Sequence, residues 1–399
     1  MQSFLDALIA EGTFGALPRD VAYALGMLVF GAIVVFGFVL NMSGATTFVE
    51  RRVWARMHNR VGPNRVGPQG ILQWLVDGIK LLMKEDIVPA EADAPLFKLA
   101  PYVVIIGFLT AFVAIPFSSA LIIADLDVGL LFVTSVTAIV VVGILMAGWS
   151  SNNKWSLIGG IRSAAQIVSY EIPAGLSLLP VVMIAGTLST QGIIAQQGWA
   201  PWEWFLFYNP FTFVGFFIFF TAALAEGNRT PFDLPEAESE LVAGFVTEYS
   251  GVRYLMFFMA EWGNLYVISA LVVIMFLGGW QIPRFTDVAA VQNAAQFLVF
   301  FAKAYGGVLF AMWIRATLPR VRVDQLMTIC WKFLVPIAFV NLLGTAVWMV
   351  LFPEGLWPVR YALFALGAGL VGYFVLRVLH HLRRARIRER GQLTLNPLS

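Results

Sequence analysis

Long apolar runs, interrupted by two polar stretches, dominate the chain. Runs of about 20 residues, long enough to cross a hydrocarbon layer as helix, recur near 21–43, 97–123, 129–148, 171–190, 205–225, 254–279, 296–315, 333–352 and 357–379. None shows the period-two alternation of a membrane strand, and helices satisfy their own backbone in lipid. The pattern predicts an all-α polytopic membrane protein with about nine transmembrane helices. Residues 1–20 carry Asp6, Glu11 and Asp20 with no basic residue before Arg19, unlike a signal peptide, and read as an amphipathic surface helix. The remainder divides into an eight-span membrane domain at 21–352, with polar loops 44–96 and 226–253, and a ninth span with a basic tail at 353–399. In the first loop, Gly62-Pro63-Asn64 and Gly67-Pro68 are turn signals. After them Gln73, Asp77, Lys80 and Lys84 recur at helical spacing among Ile71, Leu72, Trp74, Leu75, Ile79 and Leu82, the pattern of an amphipathic helix at the interface.

Composition excludes a soluble enzyme: 59% of the residues are hydrophobic and 13% charged, against roughly 25% charged in a soluble domain. One cysteine, Cys330, forms no internal disulfide and holds no iron–sulfur cluster or multi-thiolate zinc. With only His58, His380 and His381 beside it, no metal site is expected, and no nucleic-acid partner.

Basic residues set the orientation, because Lys and Arg accumulate on the cytoplasmic side. Loops sharing a side with 44–96, together with the tail, hold 22 of the 26 Lys and Arg, whereas the opposite side holds Arg19, Arg284 and Arg360. An outside amino terminus, an inside carboxyl terminus and an odd number of spans all fit.

Acids on that same side are the more informative feature. From 226 to 261 the chain carries Glu226, Asp233, Glu236, Glu238, Glu240, Glu248 and Glu261. Asp233 and Glu236 have capping-box spacing, so helix capping is as good a reading as function for those two. Glu236 and Glu240 would stack on one helix face. Glu226 and Glu261 adjoin or enter apolar spans, as do Glu171 and Lys303. A charge at mid-span costs about 2.5–3.5 kcal/mol, and such groups face a wet cavity or a partner. Acids in partial burial acquire raised, coupled proton affinities, the property a proton path requires. Glu50, Arg51 and Asp77 place opposite charges near a span end and suit a polar cavity mouth, while Arg56 and Arg65 read as anchors to anionic lipid.

Seven motifs stand in the order of one family: ERR at 50–52, RVGPNRVGPQGILQ at 60–73, Lys84-Glu85, GGIRSAAQIVSYEI at 159–172, LAEGNRTPFDLPEAESELVAGF at 224–245, FMAEWGN at 258–264 and RATLPRVRVDQLM at 315–327. From about residue 20 to 352 the chain resembles the H subunits of respiratory NADH:quinone oxidoreductase (complex I), counterparts of the mitochondrially encoded subunit 1. Asp86 stands where that family often has proline, and the ninth span and its arginine-rich tail exceed the short animal form. The resemblance implies a subunit of a proton-translocating oxidoreductase in the bacterial cytoplasmic (inner) membrane. Such a subunit anchors the peripheral arm and forms much of the chamber through which quinone, ubiquinone or menaquinone, enters from the bilayer.

Carried over by residue, Glu50, Arg51, Arg60, Asp77, Asp233, Glu236, Glu238, Glu240 and Glu248 line the chamber or its junction. Glu171, Glu226 and Glu261 form an acidic path into the membrane with Lys303 nearby, and Arg315, Arg320 and Arg322 form a basic junction loop. No catalytic dyad and no activity are expected from this chain alone, since flavin and iron–sulfur clusters would belong to other complex I subunits. Two alternatives share some of these features. One is the equivalent junction subunit of a membrane-bound hydrogenase or cofactor-F420-type dehydrogenase. The other is a proton-coupled secondary transporter, which composition alone would fit but whose paired broken spans are not evident.

Overall fold

Each apolar run folds as a helix, with ends set by local chemistry. The computed structural model describes residues 25, 29, 31–235, 238–353 and 355–395; of 34–36, 238–239 and 381–395 it describes the backbone alone. The surface helix expected at 1–20 lies outside the described residues, as does Glu236. All regular structure among the described residues is helical. The first run is described in part, as π-helical Ile33–Val39 continuing into α1 (Leu40–Met57). There follow α2 (Gln73–Met83), α3 (Ala94–Ala111), α4 (Gly129–Ser150), α5 (Lys154–Ala185), α6 (Pro210–Glu226), α7 (Gly251–Phe276), α8 (Ala289–Thr317), α9 (Val323–Leu351) and α10 (Trp357–Leu395). Seven of these are long and apolar enough to cross a membrane, and α6 is a shorter apolar helix. With the partly described first run they account for the nine expected spans.

The differences lie at the ends. The fourth run was expected from 171, yet α5 begins at Lys154, where the Asn153 side chain accepts from the Trp155 amide at 2.9 Å and caps the first turn. Its early turns hide from a hydropathy reading because they are small and polar: Gly159, Gly160, Ser163 and Gln166 are buried. Gly160 lies against Gly148 of α4 so closely that a Cβ on either would come within 3.2 Å of the other's Cα, the small-residue contact by which membrane helices approach. The second run ends as helix at Ala114. Beyond Pro116 the chain turns back, with the Phe117 amide donating to the Leu121 carbonyl, and its apolar Ile115, Phe117 and Ile122 are buried in that turn. The last two helices overrun their predicted limits: α9 starts at Val323 and α10 continues to Leu395.

α7 is the central helix, with 78% of its apolar window buried, against 28% for α8, 17% for α9 and none for α10. The outer helices therefore present their apolar faces to lipid or to other chains. The predicted amphipathic helix forms as α2, with Leu72, Leu75, Val76, Ile79 and Leu82 exposed. Segment 84–87 ties α2 to the start of α7: Asp86 pairs with Arg253 at 3.2 Å, and the Ser250 hydroxyl bonds the backbone of Glu85 and Ile87. Both polar loops thus meet at one end of the bundle, the loop side.

Candidate functional site

Where α1, α3, α4, α5, α6, α7 and α8 converge on the loop side, they enclose a cavity of about 340 Å³. Glu50, Arg51 and Trp54 reach it from α1, Glu261 and Trp262 from α7, and Arg315 from α8. Part of its wall is apolar, built by Val104, Phe108, Ile144 and Phe257 among others. A second cavity of about 310 Å³ lies between α4, α5, α6 and α7 and is bordered by Glu171. Thr137 and Glu226 line both cavities.

Ion pairs border the first cavity and stand beside it. Arg315 donates to Glu50 at 2.8 Å and lies over the Trp54 ring at 5.1 Å. Arg229 reaches Glu261 at 2.9 Å while its guanidinium covers the Trp262 ring at 3.9 Å. Arg320 bonds Asp233 at 3.2 Å. Burial pushes the Asp233 carboxyl above the usual aspartate range, against the lowering effect of Arg315 and Arg320. Each pair is one carboxylate against one guanidinium, so the rim is locally neutral. Neither Glu226 nor Glu171 forms a salt bridge among the described residues, and one Glu171 oxygen is buried without a hydrogen-bond partner among them. A neutral, partly apolar cavity leading to acids outside any ion pair can hold an uncharged ring with polar substituents and exchange protons behind it.

A family model described as NADH dehydrogenase matches residues 30–346. The chain belongs to the NADH dehydrogenase family. A protein of Anaeromyxobacter dehalogenans, named as the H subunit of NADH-quinone oxidoreductase, is 51% identical over 375 residues, covering 89% of this chain and 91% of that protein. Proteins of the same name from Chlorobium luteolum and Chlorobaculum tepidum are 48% and 46% identical, covering 88% and 82% of this chain and 95% and 94% of their own lengths. The NADH dehydrogenase match includes every residue bordering either cavity and stops before α10.

Within this chain the expected site residues are distributed unevenly. Glu50, Arg51, Glu226, Glu261 and Arg315 gather on the first cavity and Glu171 on the second. Asp77 of α2 pairs with Arg51, held also by Gln73 at 3.0 Å. Asp233 accepts from Arg320, which stands in the loop before α9. Glu240 is exposed and paired with Arg162 at 2.7 Å, and Glu248 accepts from Asn153 at 2.6 Å beside the start of α5. Glu238 begins a four-residue helix. Arg60 and Arg322 are exposed, and neither borders the cavity.

Lys303 is not brought to the acids. Its ammonium donates to the carbonyls of Leu277 and Gly279 at 2.8 and 3.0 Å and lies over the Trp204 ring at 4.6 Å. Leu277 follows the end of α7, 16 residues beyond Glu261, or about 24 Å along the helix. Lys303→Met is expected to lower thermal stability, by about 1–3 kcal/mol for the carbonyls left without a donor, and to leave turnover of the surviving protein nearly unchanged. Thermal unfolding and turnover of the same preparation check this, and a collapse of turnover at unchanged stability would put Lys303 back on the acidic path.

Two residues not singled out from sequence build the site. Gln166 of α5 is buried and donates to the carbonyls of Ala225 and Phe232, both at 2.7 Å, fixing the chain on either side of Arg229. In the sequence it stands among small and hydroxyl-bearing residues, with Ser163 and Ser169 three positions to either side. Arg229, read from sequence as one more cytoplasmic-side charge, is 2% exposed.

Proposed function

We propose that this chain is the membrane subunit of a proton-pumping NADH:quinone oxidoreductase, forming the quinone chamber and the carboxylate path that couples quinone reduction to proton movement. The observation that carries this reading is the shared wall: Glu226 and Thr137 border both the ion-paired cavity and the cavity of Glu171. The volume of the first cavity is of the size that holds a small ring, about 300 Å³ and upward. The exposed apolar face of α2, with Arg51–Asp77 beside it, suits passage of a lipid-borne quinone, ubiquinone or menaquinone. The names borne by the relatives support the same assignment.

Mechanistically, the chain's own residues move protons and charge, while electrons arrive from flavin and iron–sulfur clusters in partner subunits. Reduction of a quinone places negative charge beside Glu50, Glu261 and Glu226. One unit charge about 8 Å away, at an effective dielectric of about 20, is worth about 2 kcal/mol, or about 1.5 units of proton affinity. Glu226, outside the three ion pairs, takes up a proton and passes the change to Glu171 through the second cavity. The loop side is the cytoplasmic face, as the basic residues indicate, with the amino terminus outside and the carboxyl terminus inside; the peripheral arm stands over the two polar loops.

Gentle detergent extraction from the native membrane, followed by a native gel stained for NADH dehydrogenase activity and mass spectrometry of the active band, tests the assignment. Co-migration with flavin and iron–sulfur subunits is expected. Migration alone, or with hydrogenase subunits, overturns it.

A further inference from the structure

The polar end of α10 takes no part in the site described above. α9 leaves the loop side, where Arg320 bonds Asp233 and the Val321 amide bonds the Pro231 carbonyl. α10 begins at the opposite end, with Arg360 over the Tyr208 ring, and returns past the Trp313–Phe374 ring contact at 4.9 Å. It therefore emerges on the same side as the cavity mouth. Its 39 residues form one helix, about 58 Å long, whereas about 20 residues suffice to cross the hydrocarbon.

Counted from Trp357, those 20 residues end at Leu376, and Arg377 follows at the boundary. The headgroup layer adds about 5–7 Å on each side. Arg386, Arg388 and Arg390 lie 10 to 14 residues beyond Leu376, or about 15–21 Å along the axis, which is past the headgroups even with an ordinary tilt of about 20°. Residues 381–395 contain five arginines and one acid, Glu389. The pairs Arg384/Arg388 and Arg386/Arg390 stand four apart, a like-charge spacing that destabilises a free helix. An opposing negative surface removes that repulsion, and a lipid surface is too far below to supply it.

We propose that the arginine-rich end of α10 is a docking post for an acidic protein surface standing on the loop side of the membrane. The partner's place within an oxidoreductase complex rests on the function proposed above; the docking itself does not. The test is Ile387→p-benzoylphenylalanine in the full chain, which keeps every arginine, irradiated in native membranes. The expected product is one protein adduct whose cross-linked peptide is rich in Asp and Glu. Its yield should fall as ionic strength rises from about 0.15 to about 1 M, where the Debye length shrinks from about 8 to about 3 Å. It should fall roughly tenfold when Arg386→Glu, Arg388→Glu and Arg390→Glu are combined. Lipid adducts alone, no adduct, or a yield indifferent to salt and charge reversal overturns the docking. Native gels of the same membranes separate the two ideas. Migration of the chain without redox subunits counts against the proposed function, and the acidic adduct or its absence still decides the docking.

Discussion

Glu226→Gln, introduced into the assembled complex, is expected to cut coupled quinone reduction on the order of 100-fold, the usual contribution of a positioned proton-transfer group, without preventing assembly. Glutamine keeps the size and polarity of the side chain at the end of α6 but cannot exchange a proton at this pH. Glu226 borders both cavities and has no salt-bridge partner among the described residues. On the proposed path its loss therefore removes a proton carrier without stranding a cation. The measurement is turnover and proton pumping in sealed vesicles, set beside the amount of complex on a native gel. Normal turnover with normal pumping would remove Glu226 from the path. Loss of pumping with retained turnover would show that electrons reach quinone while the path behind the wall is cut.

Sequence reading located the helices by their apolar content and failed where content and conformation part. Residues 115–123 are mostly apolar, but Pro116 and the turn from Phe117 to Leu121 bury Ile115, Phe117 and Ile122 without helix. Residues 154–170 mix polar and small residues with the apolar ones, which lowers their hydropathy, but they are helical because glycine and serine let α5 lie against α4. For the candidate site, charge inside an apolar run points to cavity borders: Glu171, Glu226 and Glu261 each border a cavity. The same rule also selected Lys303, whose four-carbon stem carries its charge to the carbonyls at the far end of α7. Long side chains separate the position of a residue from the position of its charge, and sequence reports only the first. Arg229 shows the opposite failure. Its place in a polar loop suggested exposure, yet the bonds from Gln166 on either side fold that loop beneath the cavity.

Arg229 is where the largest stability effect is expected. The guanidinium is buried, faces Glu261 at 2.9 Å and covers Trp262. Three of its nitrogens, the one facing Glu261 included, have no well-directed hydrogen bond among the described residues. The ion pair and the indole face therefore carry most of its compensation for leaving water. Arg229→Met should destabilise the protein by about 3–5 kcal/mol, because it leaves the Glu261 carboxylate largely buried and unpaired. Glu261→Met alone strands the cation and should also destabilise. The double variant Arg229→Met/Glu261→Met removes both charges, fills the space with apolar side chains and should recover most of the lost stability, since buried pairs contribute little net energy against apolar replacements. Coupled turnover should not recover with it. Stability and function then separate in one series: the pair is dispensable for folding as a pair, whereas the carboxylate is required where reduction of the quinone changes the local charge. Thermal unfolding of the complex and turnover, measured across all four corners of the cycle, check both halves. Recovery of turnover in the double variant would show that Glu261 holds the loop in place and carries no charge signal.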